Sequence, residues 1–182
     1  YYIPVPADRN EAQKVVDRFR SVLEDPTVTK VAQNAKYDVM VMANYGIEVK
    51  GQLFDTMIAH YLLHPELRHG MDYLSETYLQ YRPVSIETLI GPKGKNQRNM
   101  RDADVNDVKE YSAEDADITW QLHELFAPEL KSDQVEGLFN DLEMPLVNVL
   151  AAMEREGIRL DIPALKAFSE ELAVDLQRLQ EE

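Results

Sequence analysis

An α/β fold is predicted by three features of this 182-residue sequence: short runs of β-formers alternate with stretches of helical apolar spacing, turn residues sit at the joins, and 45% of side chains are apolar. That apolar share is enough to bury one sizeable core. YYIPVP at 1–6 reads as a strand already in progress, as if cut from a longer chain. Asp8 and Asn10 are cap residues, and Val15, Val16, Phe19, Val22 and Leu23 predict a helix over 11–24. DPTV turns the chain into a short buried-type strand at 29–32. An amphipathic helix follows through Tyr37, Val41, Met42 and Tyr45 and ends at Gly46.

Helices are predicted over 54–63 and 71–79, separated by HPELRHG, and GPKGKNQRNMRD is a polar, cationic loop. A long helix covers 105–130 and another 134–156, with Pro145 at a kink or helix junction and Gly157 closing it. Residues 158–161 are extended. Leu165, Phe168, Leu172, Leu176 and Leu179 then mark a helix from 162 onward, within which the sequence stops. There is no internal repeat and no low-complexity tract.

The formal charge of −14 argues against a grip on duplex DNA through the overall field, because such binding uses Lys and Arg to neutralise phosphates. Any nucleic acid contact must be local. Acidity of this kind is compatible with carboxylates that hold divalent cations, the cation then receiving the phosphate. The absence of Cys removes disulfides, zinc–thiolate sites and thiol nucleophiles, and fits a reducing compartment. With no run long enough to span a bilayer and no signal-type leader, the expectation is a cytoplasmic protein without a membrane partner.

In YSAED, Tyr111 and Asp115 lie four residues apart and share one face of the predicted helix. VAQNAKYD places a second carboxylate, Asp38, just past the strand at 29–32. Two-metal hydrolysis of a phosphodiester needs clustered carboxylates that hold cations about 4 Å apart, and oxygen ligands suit Mg²⁺ or Mn²⁺. Asp38 and Asp115 are the candidate ligands. Tyr111 is a candidate for orienting the attacking water, since a phenol with a free pKa near 10 is a poor base. By itself this spacing is common on solvated helix faces. Glu114 and Asp117 read as surface acids, Asp55 as a structural or capping carboxylate, and Trp120 as core. His60 and His64 are an i, i+4 pair without the glutamate of HExxH or a third ligand, and read as a helix end facing solvent. GPKGK lacks the spacing of a phosphate loop.

Several segments carry a joint signal: VAQNAKYDVMVMANYGIEVKG, FDTMIAHYLL, GMDYLSETYL, GPKGKNQ, YSAEDADITWQLH and NDLEMPLVNVLAAMEREGIRLD, in that order. Together they resemble the proofreading 3′–5′ exonuclease domain of bacterial DNA polymerase I over nearly the whole chain. The resemblance implies a ribonuclease H-like 3′–5′ exonuclease fold, truncated at its N-terminal strands, followed by helices leading to the polymerase thumb. Its domains would be 1–133, the exonuclease portion, and 134–182, the helical connection and the start of the polymerase portion. It implies four metal-binding carboxylates in three motifs, with Asp38 in the second and Tyr111 and Asp115 in the third. Gln33, Asn34 and Tyr37 would hold the single-stranded 3′ end of DNA, and Arg68 stands where a substrate-contacting arginine is expected. The partners implied are that DNA end and the polymerase domain of the same parent chain, in a bacterial cytoplasm.

Two departures from the family pattern are expected to matter. The first motif, Asp-x-Glu, belongs upstream of YYIPVP, so these 182 residues alone are expected to be inactive or nearly so. An open sheet edge there would also invite pairing with a neighbouring chain as an oligomer. Ile86 stands where relatives carry an aromatic beside the terminal base, and base–aromatic stacking is worth about 1–3 kcal/mol, so primer-end affinity is affected rather than chemistry. Two rivals share part of the pattern. A ribonuclease D-type RNA exonuclease is disfavoured by NDLEMPLVNVLAAMEREGIRLD, and a degenerate scaffold of a polymerase by the retention of Asp38, Tyr111 and Asp115.

Overall fold

Asp8 accepts hydrogen bonds from the backbone N–H groups of Asn10 and Glu11 and so starts α1 (Arg9–Val16) in the computed structural model, which describes residues 1–181. A 3₁₀ turn at Asp17–Phe19 divides the helix predicted over 11–24 into α1 and α2 (Arg20–Leu23). Arg20, at that break, donates to Asp17, to Glu24 and to the Gly46 carbonyl, which ties the turn to the end of a later helix. The strand predicted at 1–6 is not formed. Pro4 and Pro6 have no N–H to give a ladder, and these residues find no strand partner among the described residues.

β1 (Lys30–Ala32), α3 (Ala35–Asn44) and β2 (Leu53–Asp55) form a parallel crossover unit in which Lys30 pairs Leu53, Val31 pairs Phe54 and Ala32 pairs Asp55. Gly46 closes α3 at φ 68°, as its sequence position predicts. β2 lies partly where a helix was predicted from residue 54: three fully buried residues are too few to show a period, and only Asp55 marks where helix begins. Gly51, just before β2, has φ +84°, and a Cβ there would sit 2.8 Å from the Val28 carbonyl and 2.9 Å from that of Pro26. Gly51→Ala is therefore expected to lower stability by about 1–3 kcal/mol, read as a shift of the urea midpoint at unchanged slope.

α4 (Thr56–Leu63), α5 (Met71–Leu74) and a π-helical turn at Ser75–Leu79 follow. A short helix absent from the sequence reading, α6 (Ile86–Ile90), starts at the Ser85 hydroxyl, and a 3₁₀ turn at Met100–Asp102 interrupts the cationic loop. α7 (Val105–Ser132) is the long helix. The run predicted over 134–156 is divided into α8 (Glu136–Leu138), a π-helical turn at Phe139–Glu143 and α9 (Met144–Glu156). Pro145 falls in the first turn of α9, directly after the π-helical turn, so its missing N–H coincides with the change of helical type. α10 (Ile162–Glu181) begins where Asp161 accepts from the Ala164 N–H at 3.0 Å.

The result is a mostly helical α/β chain with a small parallel sheet, divided into two compact units, Tyr1–Ala152 and Met153–Glu182. In the first unit Ile118, Leu122, Phe126 and Leu130 form a buried stripe at helical spacing on α7, clustered with Phe54, Ala59, Leu74, Phe139 and Val147. In the second, α10 leaves Leu165, Phe168, Leu172, Leu176 and Leu179 between 50% and 62% exposed. No described helix is long and apolar enough to cross a membrane.

Candidate active site

Asp55 organises the ends of two helices. Buried to 1% exposure, its carboxylate accepts from the backbone N–H groups of Met57 (2.9 Å) and Ile58 (3.4 Å) at the start of α4, and from Asn34 (3.0 Å) and Ala35 (2.7 Å) at the start of α3. The second pair holds Asn34 in a left-handed turn at φ 63° and fixes where α3 leaves the sheet. One turn into α3 stands Asp38. Asp55 is thus the structural and capping carboxylate that its sequence position predicts, for two helices at once.

Asp38 opens into a cleft of about 410 Å³ whose walls also include Gln33, Met71, Asp115, Ala116 and Trp120. Its carboxyl is pushed above the usual range, first by partial desolvation and then by the negative charge of Asp55. Across the cleft, Asp115 on α7 is also pushed up by burial and by the charges of Glu114 and Asp72, while a hydrogen bond donated by the Tyr111 phenol opposes the shift. Tyr111 itself is pushed up to about 12 by burial and by the Asp115 carboxylate, so it keeps its proton at neutral pH and cannot serve as a base. Because the phenol bond favours the ionised carboxylate, Tyr111→Phe is expected to make Asp115 titrate at higher pH. Carbon-13 NMR of the Asp115 carboxyl in both proteins measures this.

The structure brings Asp38, Asp115 and Gln33 to one cleft, with Tyr111 joined to it through Asp115. The Gln33 amide donates to the His69 carbonyl at 2.8 Å and accepts from the Thr56 hydroxyl, so it braces the loop that follows α4. Tyr37, 63% exposed, precedes Asp38 on α3, and Arg68 is exposed on that loop; neither lines the cleft, nor does Asn34.

Three readings from the sequence are corrected. Glu114 is more than a surface acid: its two oxygens accept from the Tyr81 phenol and from the Val84 N–H at 2.8 Å, fastening the connection between α5 and α6 to α7. Those partners lie some thirty residues away, so no local pattern pointed to them. Trp120 is not core but 55% exposed on the cleft wall, stacked on His123, because it falls off the Ile118–Leu122–Phe126 stripe. His60 does not face solvent. It is fully buried against Tyr78, His69 and Phe126.

No group of three or more His, Cys, Asp or Glu side chains stands ready to hold a metal ion among the described residues. The cleft nevertheless suits a hard cation, because two carboxylates face it and no Lys or Arg is on its walls. Two carboxylates are a partial set, since such cations take six or more oxygens counting water and substrate.

Residues 1–131 match the family model described as 3′–5′ exonuclease. DNA polymerase I of Rhizobium leguminosarum is 39% identical over 166 residues, covering 91% of this chain and 16% of that protein. DNA polymerase I of Borreliella burgdorferi is 33% identical over 186 residues, covering 100% of this chain and 20% of that protein. The chain therefore spans about a fifth or less of the length of these relatives. Among solved structures, the POL domain of Pol1 from M. smegmatis in complex with DNA primer-template and dNTP aligns with a TM-score of 0.72 at 24% identity, covering 97% of this chain and 27% of that one. That likeness concerns the fold. Since the family match takes in every residue that lines the cleft, the chain belongs to the 3′–5′ exonuclease family of A-type DNA polymerases.

Proposed function

We propose that these residues are the exonuclease part of a bacterial DNA polymerase I, in which a mismatched nucleotide is hydrolysed from the single-stranded 3′ end of the growing strand. The observation that carries the reading is the convergence of Asp38 and Asp115, from segments far apart in sequence, on one cleft. The reading includes a ribonuclease H-like fold, an exonuclease portion at 1–133, and a helical connection at 134–182 that leads into the polymerase portion. That portion would cover the apolar stripe of α10. The setting would be the bacterial cytoplasm.

Asp38 and Asp115 would hold Mg²⁺ or Mn²⁺ together with the two carboxylates of an Asp-x-Glu strand in the parent chain. Bound there, the cations supply an activated water and a stabilised leaving oxygen. Tyr111 would orient Asp115 by its donated hydrogen bond, which also favours the ionised carboxylate against the burial that raises its pKa. Asp55 sets the start of α3 and hence the position of Asp38. Gln33, Asn34, Tyr37 and Arg68 would hold the frayed DNA end, with Gln33 acting in part through the loop it braces. The relatives' shared name, DNA polymerase I, supports this reading over a ribonuclease D-type enzyme.

Metal binding tests the reading without requiring turnover. Mn²⁺ titrated into the 182-residue protein and followed by electron paramagnetic resonance is expected to bind weakly, and to lose most of that binding in Asp38→Asn and in Asp115→Asn. Equal binding by all three proteins would overturn the assignment of these carboxylates as ligands.

A further inference from the structure

The loop carrying Arg68 is moored by a buried ring. His60, on α4, has no exposed surface, yet both of its ring nitrogens are used: Nδ1 lies 2.7 Å from Nδ1 of His69 and Nε2 lies 2.8 Å from the Tyr78 hydroxyl. His69 is held a second time through its main chain, since its carbonyl accepts from the Gln33 amide on the cleft wall. Its ring also packs edge-on against Tyr61. Arg68 is the neighbouring residue and is exposed.

We infer that His60 is a positioning residue: through its ring-to-ring hydrogen bond it fixes the His69 loop, and with it Arg68, beside the cleft wall that receives a single-stranded 3′ end. The receiving of DNA rests on the function proposed above; the mooring does not. A nitrogen-to-nitrogen hydrogen bond requires one Nδ1 to carry hydrogen and the other to be bare. With His69 as donor, His60 accepts at Nδ1 and gives its Nε2 hydrogen to the Tyr78 oxygen. The opposite direction, with Tyr78 donating to His60, satisfies the same groups. His60 is neutral in each of these two arrangements, and a pair protonated on both rings is excluded because it would set two N–H groups against each other.

The surroundings keep it neutral. His60 faces His64 on its own helix, His69 from the loop, Tyr78 from the π-helical turn and Phe126 from α7, with Glu129 and Tyr73 acting on Tyr78 from behind. Burial, then the charges of His69 and His64, lowers its pKa from 6.5 to about 4. The unfolded chain takes up a proton near 6.5 that the buried ring refuses until about 4, so acidification through that window lowers the stability of the folded state that holds the mooring.

Amide hydrogen exchange in the 182-residue protein tests the mooring directly. His60→Phe fills the space without a hydrogen bond, His69→Ala removes the bond from the loop side without touching the core, and His60→Asn places an amide where Nδ1 stood. Residues 67–70 are expected to exchange at least about 10-fold faster in His60→Phe and His69→Ala and near the original rate in His60→Asn, with α7 unchanged in all three. The same protection of 67–70 in His60→Phe and His69→Ala as in the unaltered protein would overturn the inference. Fluorescence anisotropy with a labelled oligothymidylate forms the second arm. Several-fold weaker binding in His60→Phe and in Arg68→Ala supports the link to DNA. Faster loop exchange with unchanged binding in both variants would instead overturn the nucleic-acid role of the loop while leaving the mooring intact.

Discussion

Asp55→Ala is expected to destabilise the first unit by about 2–5 kcal/mol, the largest loss of stability expected from exchanging a single polar residue. Four backbone N–H groups lose their acceptor at once. Removal of the cap on α4 accounts for about 1–2 kcal/mol, and leaving the Asn34 and Ala35 donors unsatisfied adds about 1–3 kcal/mol. Asp55→Asn, which retains one acceptor oxygen, should lose about half as much. Urea unfolding followed by circular dichroism measures both. A second consequence separates Asp55 from an ordinary cap. Its charge helps to hold Asp38 above the usual carboxylate range, so in Asp55→Asn the Asp38 carboxyl should titrate at lower pH.

The second large effect is on catalysis. In a protein that carries the Asp-x-Glu segment ahead of these residues, Asp115→Ala and Asp38→Ala are each expected to lower the rate of single-strand degradation by about 10³-fold. Such a loss corresponds to several kcal/mol of transition-state stabilisation through a bound metal. Tyr111→Phe should cost about 10–100-fold, the worth of one hydrogen bond to a charged group, with the acidic limb of the rate profile moved to higher pH. The ordering of these losses is itself informative. A tyrosine acting as the base would match the ligand variants, whereas one that keeps its proton and only orients its carboxylate would fall short of them. Asp115→Asn should leave stability equal or higher, because the fold raises the free energy of the ionised side chain.

Much of this was legible in the sequence where the cause is local. Asp8 announced α1, Gly46 the end of α3, and the long helix α7 was predicted over 105–130. Asp38 and the Tyr111–Asp115 pair were legible because their flanking segments resemble one family. Short elements were not: β2 and α6 hold three and five residues, less than either period needs. Long-range partners were equally hidden. Nothing near Glu114 indicates Tyr81, and nothing near His60 says that its ring turns inward to meet His69 rather than outward to water. The same i, i+4 spacing of His60 and His64 suits either side of a helix, and packing alone chooses.

In the function proposed above, Asp38 and Asp115 serve a 3′–5′ exonuclease that acts through divalent metal ions. The most direct measurement is of the product released from a 3′-labelled single strand in Mg²⁺ by a protein in which an Asp-x-Glu segment stands ahead of these residues. Labelled mononucleotide is the expected product, dependent on the metal and lost in Asp115→Ala. Undiminished release by the Asp115→Ala protein would contradict that function.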